Sequence, residues 1–193
     1  MSRATICCEA SVIGRAWGGR SIARLSVQGS WCALAALLLF TPSVLGATPW
    51  PLSWVKQAGG TYVDCWSRAA VTDGGALVTG GFDGTATFGA GEANETALTC
   101  AGICDIYLAR YNADGSLVWA RSAGGAGYDY GMGVAALAGG GALVTGWFTG
   151  TATFGAGEPN ETVLTSAGEM DIFLARYNAD GTLVWVKQAG GTS

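Results

Sequence analysis

The 193-residue sequence contains no histidine, and this absence narrows the chemistry open to the protein. Without histidine there is no Ser-His-Asp triad, no HExxH zinc site and no histidine-ligated haem. Charged residues make up only 12% of the chain, and half of its residues are apolar, which is too apolar for a disordered chain. The 32 glycines interrupt the sequence too often for long helices. The composition therefore predicts short strands joined by tight turns.

The N-terminal segment, residues 1–46, has the layout of a secretory signal peptide. Basic residues up to Arg24 precede an apolar run from Cys32 to Phe40, and small residues follow it as far as Ala47. The run is short for a membrane span, so an uncleaved anchor is the weaker alternative. A true start near Arg20 or Arg24 is a further alternative. We expect an exported protein of bacterial origin that is secreted, periplasmic or held at the cell surface.

Cleavage of this leader would make the exported part strongly acidic. Cutting near Gly46 or Ala47 leaves 6 basic and 13 acidic residues, a net charge of about −7. Nucleic acid is then an improbable partner, because binding it requires a basic surface that displaces counterions. No membrane contact is expected once the leader has been removed.

Three cysteines remain in the exported part. An oxidising compartment could join Cys100 to Cys104 across a short loop and leave Cys65 unpaired. The second half of the chain has other residues at the three matching positions, namely Tyr130, Ser166 and Met170. A disulfide is therefore not a requirement of the architecture.

A stretch of about 66 residues is written twice in this chain and begun a third time. Gly75–Thr99 returns as Gly141–Thr165, and Asp105–Trp119 returns as Asp171–Trp185. A period of this size is typical of propellers, solenoids and arrays, in which each repeat buries apolar faces against its neighbours.

Each period predicts four or five short strands and no helix. The strands predicted for the second repeat are Ile172–Tyr177 and Thr182–Lys187 around the turn Asn178–Gly181, Ala142–Phe148 and Gly150–Phe154 as a hairpin around Thr149-Gly150, and Gly131–Leu137 before the turn Gly139–Gly141. Gly181 is expected at positive φ, as in a short hairpin.

Four-stranded units at this spacing fit the blades of a β-propeller. We therefore predict an all-β fold of propeller-type blades made of antiparallel strands, within a repeat region 47–193. Blade 1 spans about 54–120, blade 2 spans about 121–186, and a third begins at 187. Two blades do not close a ring, so the sequence predicts either a fragment of a longer protein or self-association through open blade faces.

One glycine pair follows the predicted last strand of each repeat. For Gly124-Gly125 and Gly190-Gly191 we expect close strand packing, which leaves little room for a Cβ atom. A phosphate-binding loop is the less favoured interpretation, because no helical pattern follows these glycines.

The order of these elements is similar to that of the bacterial SBBP family of β-propeller repeats. The similar residues are Gly124–Asp129, Gly131, Val134-Ala135 and Gly141–Gly146, with Tyr177, Asp180-Gly181, Trp185 and Gly190-Gly191 before the next repeat. The resemblance covers most of Trp54–Ser193. The second repeat departs from the family at Ala138. The first repeat has the family's aspartate at the matching position, Asp73. Because the second repeat lacks it, a strict ligand role for this position is disfavoured. The resemblance implies an exported or surface-exposed propeller and indicates little about chemistry.

Acidic residues recur once per repeat. The pairs are Asp64/Asp129, Glu92/Glu158, Glu95/Glu161, Asp105/Asp171 and Asp114/Asp180. A catalytic carboxylate pair, as in glycoside hydrolases, is normally unique, so the recurrence favours roles in turns and caps. Asn112–Gly115 and Asn178–Gly181 resemble half of a calcium loop, but the further ligands are missing and a turn explains them. We therefore predict no catalytic, cofactor-binding or metal-binding residue, with calcium as the open alternative.

Trp119 and Trp185 each follow an Asp-Gly pair by four residues. They resemble the tryptophan docking motif of quinone-dependent dehydrogenase propellers, in which the tryptophan packs between blades. We expect the same structural role here and no quinone.

Specific function is expected where the repeats differ. The differences are Gly81 against Trp147, Asp83 against Thr149, and Cys100/Cys104 against Ser166/Met170, all in or beside predicted turns. The first hypothesis is an exported, non-enzymatic propeller protein acting as a binding or structural scaffold. The alternative is a fragment of a propeller enzyme, such as a lyase, a glycosidase or a quinone-dependent dehydrogenase, with its active site in other blades.

Overall fold

The computed structural model describes residues 53–62, 64, 68–70 and 74–192, and the backbone alone of residues 9–14, 16–17, 20–21, 24–28, 65–67 and 71–72. The side chain of Cys65, all of Asp73 and the predicted cleavage point lie outside this described part. The N-terminal strands are β1 (Glu9–Gly14), β2 (Ala16–Trp17), β3 (Arg20–Ser21) and β4 (Arg24–Gln28).

The repeat region begins with β5 (Trp54–Gly60), and each repeat then adds six strands. The first repeat has β6 (Asp64–Thr72), β7 (Gly75–Phe82), β8 (Thr85–Phe88), β9 (Thr96–Thr99), β10 (Asp105–Tyr111) and β11 (Leu117–Gly125). The second has β12 (Asp129–Ala136), β13 (Ala142–Phe148), β14 (Thr151–Phe154), β15 (Thr162–Thr165), β16 (Asp171–Tyr177) and β17 (Leu183–Ala189). The described residues form strands and turns, which confirms the all-β prediction. None of them forms a helix able to cross a membrane.

Four strands of each repeat form one antiparallel sheet. The order is β6-β7-β10-β11 in the first repeat and β12-β13-β16-β17 in the second. The turn between β16 and β17 is closed by the Gly181 N–H, which donates to the Asn178 carbonyl at 3.1 Å. Gly181 has a φ of 82°, so the predicted turn and its positive φ are confirmed.

The predicted hairpin between Ala142–Phe148 and Gly150–Phe154 is wrong. Strand β13 pairs with β12 and β16, whereas β14 pairs with β15 and with the end of β11. The Thr149 N–H donates to the Tyr128 carbonyl at 3.1 Å, and this bond directs the chain out of its own sheet after Phe148. The sequence pattern does not predict β15, so the repeat has six strands in place of the expected four or five.

The hairpin of each repeat extends the sheet that precedes it in the chain. Gly124 and Gly125 of β11 pair with β14, and Gly59 and Gly60 of β5 pair with β8 in the same way. A Cβ atom at Gly125 would overlap the Thr151 carbonyl oxygen. The predicted close packing at Gly124-Gly125 is therefore confirmed, and its cause is the neighbouring hairpin.

The two sheets stack face to face. We call one side of each repeat the outward face: Leu77, Thr79, Ile106 and Leu108 in the first repeat, and Leu143, Thr145, Ile172 and Leu174 in the second. The apolar members of the first outward face share one core with Val144, Phe148 and Phe173 of the second repeat. A second core joins β5 to the other side of the first repeat, through Trp54, Val78, Phe82, Tyr107, Tyr111 and Leu117.

The N-terminal strands complete the sheet that contains β5. Strand β1 pairs antiparallel with both β5 and β4. These two strands lie in the segment that the sequence predicts to be a cleaved signal peptide. The mature N-terminus therefore decides whether β5 keeps this partner.

Candidate functional site

Each junction between repeats is held by a tryptophan from the preceding strand. The indole N–H of Trp119 donates to the Ala179 carbonyl at 2.8 Å, and that of Trp54 donates to the Ala113 carbonyl at 2.9 Å. Gly181 lies against the Trp119 ring, where a Cβ would come within 2.7 Å of the indole carbon Cδ2. The expected role of Trp119 between repeats is confirmed.

The repeated carboxylates in the turns bind backbone amides. Glu92 accepts a hydrogen bond from the Leu117 N–H at 2.5 Å, and Glu158 accepts one from Leu183 at 2.6 Å. The corresponding bonds of the other two pairs are Gly91 N–H to Glu95, Gly157 N–H to Glu161, Ser116 N–H to Asp114 and Thr182 N–H to Asp180. Hydrogen bonds lower the pKa of Glu92, Asp114 and Asp180. The prediction of turn and cap roles is confirmed for these residues.

Two buried carboxylates approach each other where the repeats meet. Asp105 and Asp129 are both buried, and a Cβ at Gly124 would lie 2.7 Å from Asp105 Oδ1 and 2.9 Å from Asp129 Oδ2. Asp129 accepts the Gly125 N–H at 2.8 Å and the Thr149 N–H at 3.2 Å. It therefore links β11, the last strand of the first repeat, to the residue that follows β13 in the second.

Burial raises the pKa of Asp129 to about 6, opposed by its two amide bonds and assisted by the Asp105 carboxylate. Burial also raises the pKa values of Asp64 and Asp105. A raised folded-state pKa means that the folded protein binds the proton more tightly than the unfolded chain does. The stabilisation is complete below the unfolded pKa and is lost as pH rises through the folded value.

We expect the free energy of unfolding to increase by about 1 kcal/mol between pH 7 and pH 5 because of Asp129. Urea denaturation across this range measures it. The variant Asp129→Asn cannot titrate, and its stability is expected to rise less over the same interval. Wild-type stability that stays flat or falls between pH 7 and pH 5 would contradict the assignment.

An aromatic cleft opens beside this junction. Tyr128, Tyr130, Met132 and Trp147 line an open cavity of about 430 Å³, and the rings of Tyr130 and Trp147 lie 4.8 Å apart. The Tyr130 ring packs over Gly81 of the first repeat, where it would collide with any Cβ. The difference between Gly81 and Trp147 is visible in the sequence. The proximity of Tyr128 and Met132 to Trp147 is not visible in the sequence, because it arises only when the strands pair.

The other residues that differ between the repeats form hydrogen bonds to the backbone near the aromatic cleft. No disulfide joins Cys100 to Cys104 in the structure, and the Cys100 thiol donates to the Gly102 carbonyl at 3.1 Å. Burial raises the pKa of the Cys100 thiol. Thr149, which replaces Asp83, accepts the Tyr128 N–H at 2.8 Å. These contacts shape the loop next to the aromatic cleft.

The outward faces of the two repeats differ sharply in exposure. Ile106 and Leu108 are 3% and 2% exposed, whereas Ile172 and Leu174 at the same positions are 60% and 42% exposed. Thr79 is fully buried and Thr145 is exposed. The second repeat covers the first, and no described residue covers the second.

Within the described part of the chain, no three side chains among His, Cys, Asp and Glu are grouped to hold a metal ion. Comparison of the sequence with models of known families and with curated proteins gives no match.

Proposed function

We propose that this chain is an exported, non-enzymatic repeat protein of the propeller type, related to the SBBP repeats, that serves as a binding or structural scaffold. Its four-stranded antiparallel sheets stack face to face and are joined at each junction by a tryptophan and a hairpin. Each added unit buries its apolar side against its neighbour, as in other repeat proteins.

The observation that carries this proposal is that the repeated carboxylates have structural roles, whereas a cleft is lined by aromatic residues specific to one repeat. The repeated carboxylates that an enzyme would need are bound to backbone amides in turns and junctions. Trp147, which replaces Gly81 of the first repeat, instead lines the aromatic cleft with Tyr128, Tyr130 and Met132. Its lining has no charged side chain, which favours an uncharged ligand with an apolar face.

Export is tested by expressing the full chain in a bacterial host and sequencing the N-terminus of the protein recovered outside the cytoplasm. We expect an N-terminus near Ala47, a β-type circular dichroism spectrum and cooperative unfolding. Uncleaved protein that remains in the cytoplasm would contradict export and would leave β1 paired with β5. A protein that is recovered but does not unfold cooperatively would contradict the stacked scaffold.

A further inference from the structure

The outward face of the second repeat is exposed, but the equivalent face of the first repeat is covered within this molecule and shows what fits it. Ile106 and Leu108 of the first repeat are covered by the second repeat, whose strand β12 packs on β6 and β7. Arg110 of the same strand donates to the Gly140 carbonyl at 3.1 Å and to the Ala179 carbonyl at 2.9 Å, both in turns of the second repeat. Ile172, Leu174 and Arg176 repeat these residues on an exposed strand. These three positions of the face therefore match those that a repeat of this same sequence covers. The face differs at Trp147, which stands in the place of Gly81, and a docked first repeat would bring Cys65 to the place that Tyr130 takes against Gly81.

The strand beside that face has an identical copy at the other end of the repeat region. Trp54–Thr61 and Trp185–Thr192 both read WVKQAGGT. Their sheet positions also match. Ala58 pairs with Ala10 of β1 and Ala189 pairs with Ile172 of β16, and Trp54 and Trp185 likewise occupy equivalent places in these pairings. Strand β17 can therefore occupy the place of β5 with every side chain in register.

The interactions of β5 with the first repeat require only the residues that β17 also carries. Trp54 donates to the Ala113 carbonyl at 2.9 Å, and Lys56 forms a salt bridge with Glu92 at 2.7 Å. Gly59 and Gly60 pair with strand β8. The counterparts Trp185, Lys187, Gly190 and Gly191 follow in the same order, and the last three are exposed.

We propose that a second copy of this chain docks against the second repeat, so that β17 of one copy replaces β5 of the next. The outward face of the second repeat then packs against the opposite side of the partner's first repeat. Within one chain, the outward face of the first repeat packs against the second repeat in the same way. This inference rests on the proposed scaffold of stacked repeats and names its partner. It extends the array from head to tail by the same geometry that relates the two repeats.

Two physical reasons favour this exchange. Because the octapeptides are identical, β17 restores the hydrogen bonds and packing that β5 gives up, which is the usual basis of swapping an identical element between protomers. Docking additionally removes Ile172 and Leu174 from water, which the monomer does not achieve. Loss of β1 and β4 by leader cleavage would free one edge of β5 and assist its displacement.

The face is tested with the double variant Ile172→Glu and Leu174→Glu in the full chain. Light scattering over a range of concentrations should show the 19.6 kDa wild type forming multiples of its mass, and the variant staying monomeric. Val163→Glu is the matched control, because Val163 is 55% exposed and its counterpart Ala97 remains exposed in the covered first repeat. This control should associate as the wild type does. Association of the double variant, or a monomeric wild type at all concentrations, would overturn the proposal.

The strand is tested separately with Gly191→Ala. A Cβ at Gly191 meets nothing within the chain, so the monomer should fold as the wild type does. Once docked, this residue takes the place of Gly60, where a Cβ would overlap the Thr85 carbonyl oxygen of the partner. We expect association to weaken at least ten-fold. Unchanged association of a normally folded Gly191→Ala variant would exclude replacement of β5 by β17.

The two proposals fail in distinguishable ways. If the scaffold is wrong, the wild type lacks a β-type spectrum and a cooperative unfolding transition. If only the docking is wrong, those two properties remain and the mass stays that of one chain.

Discussion

Replacing Gly125 by alanine is expected to destabilise the protein by about 3 kcal/mol or more, because the added Cβ overlaps backbone that has little room to move. The Thr151 carbonyl oxygen occupies the space, and it belongs to the hairpin that extends the sheet of the first repeat. The variant must therefore either detach this hairpin or distort the end of β11. Urea denaturation followed by circular dichroism measures the loss.

Gly191→Ala is the matched control for this prediction, since Gly191 holds the corresponding position one repeat later. No atom lies within 4 Å of the space that a Cβ would occupy there. The change should therefore alter the free energy of unfolding by less than about 0.5 kcal/mol in dilute solution. Equal effects of the two substitutions would show that the hairpin is not what requires glycine at position 125.

Replacing Trp119 by alanine is expected to cost about 3–5 kcal/mol, the range for removing a large buried aromatic side chain. Trp119 is 6% exposed and belongs to the core shared by the two repeats. The change also leaves the Ala179 carbonyl without its indole donor. Thermal or urea unfolding of the variant provides the measurement.

The conservative variant Trp119→Phe separates packing from hydrogen bonding. A phenyl ring keeps much of the contact with Gly181 but cannot donate to Ala179, so a loss of only about 1–2 kcal/mol is expected. A phenylalanine variant as unstable as the alanine variant would mean that the hydrogen bond, rather than the buried ring, holds the junction.

Features that depend on neighbouring residues are predictable from the sequence. The turn Asn178–Gly181 lies where the sequence predicts it, because an Asn-Ala-Asp-Gly segment carries its own hydrogen bonds and its own positive-φ residue. The turn roles of Glu95, Glu161, Asp114 and Asp180 are predictable for the same local reason, because each binds an amide within four residues. The 66-residue period also indicates antiparallel strands packed against neighbouring repeats.

Features that depend on distant partners are not predictable in this way. Two short strands around Thr149-Gly150 look like a hairpin, but the partner of β14 is Gly124-Gly125, which lies far back in the chain. The aromatic cleft is hidden for a similar reason, since Tyr128 and Met132 meet Trp147 only after the sheets have formed. The sequence predicts open blade faces, but it does not show that Ile172 and Leu174 lie on one, because their pattern matches that of the buried Ile106 and Leu108.

The transfer of each hairpin to the preceding sheet has a mechanical consequence. Because β14 and β15 belong to one repeat in sequence and to the sheet of the other repeat in space, no boundary between repeats is crossed by a loop alone. A pulling force applied along the array would have to break strand pairs at every junction before two repeats could separate. We expect such an array to resist force as one continuous unit rather than as separate domains joined by flexible linkers.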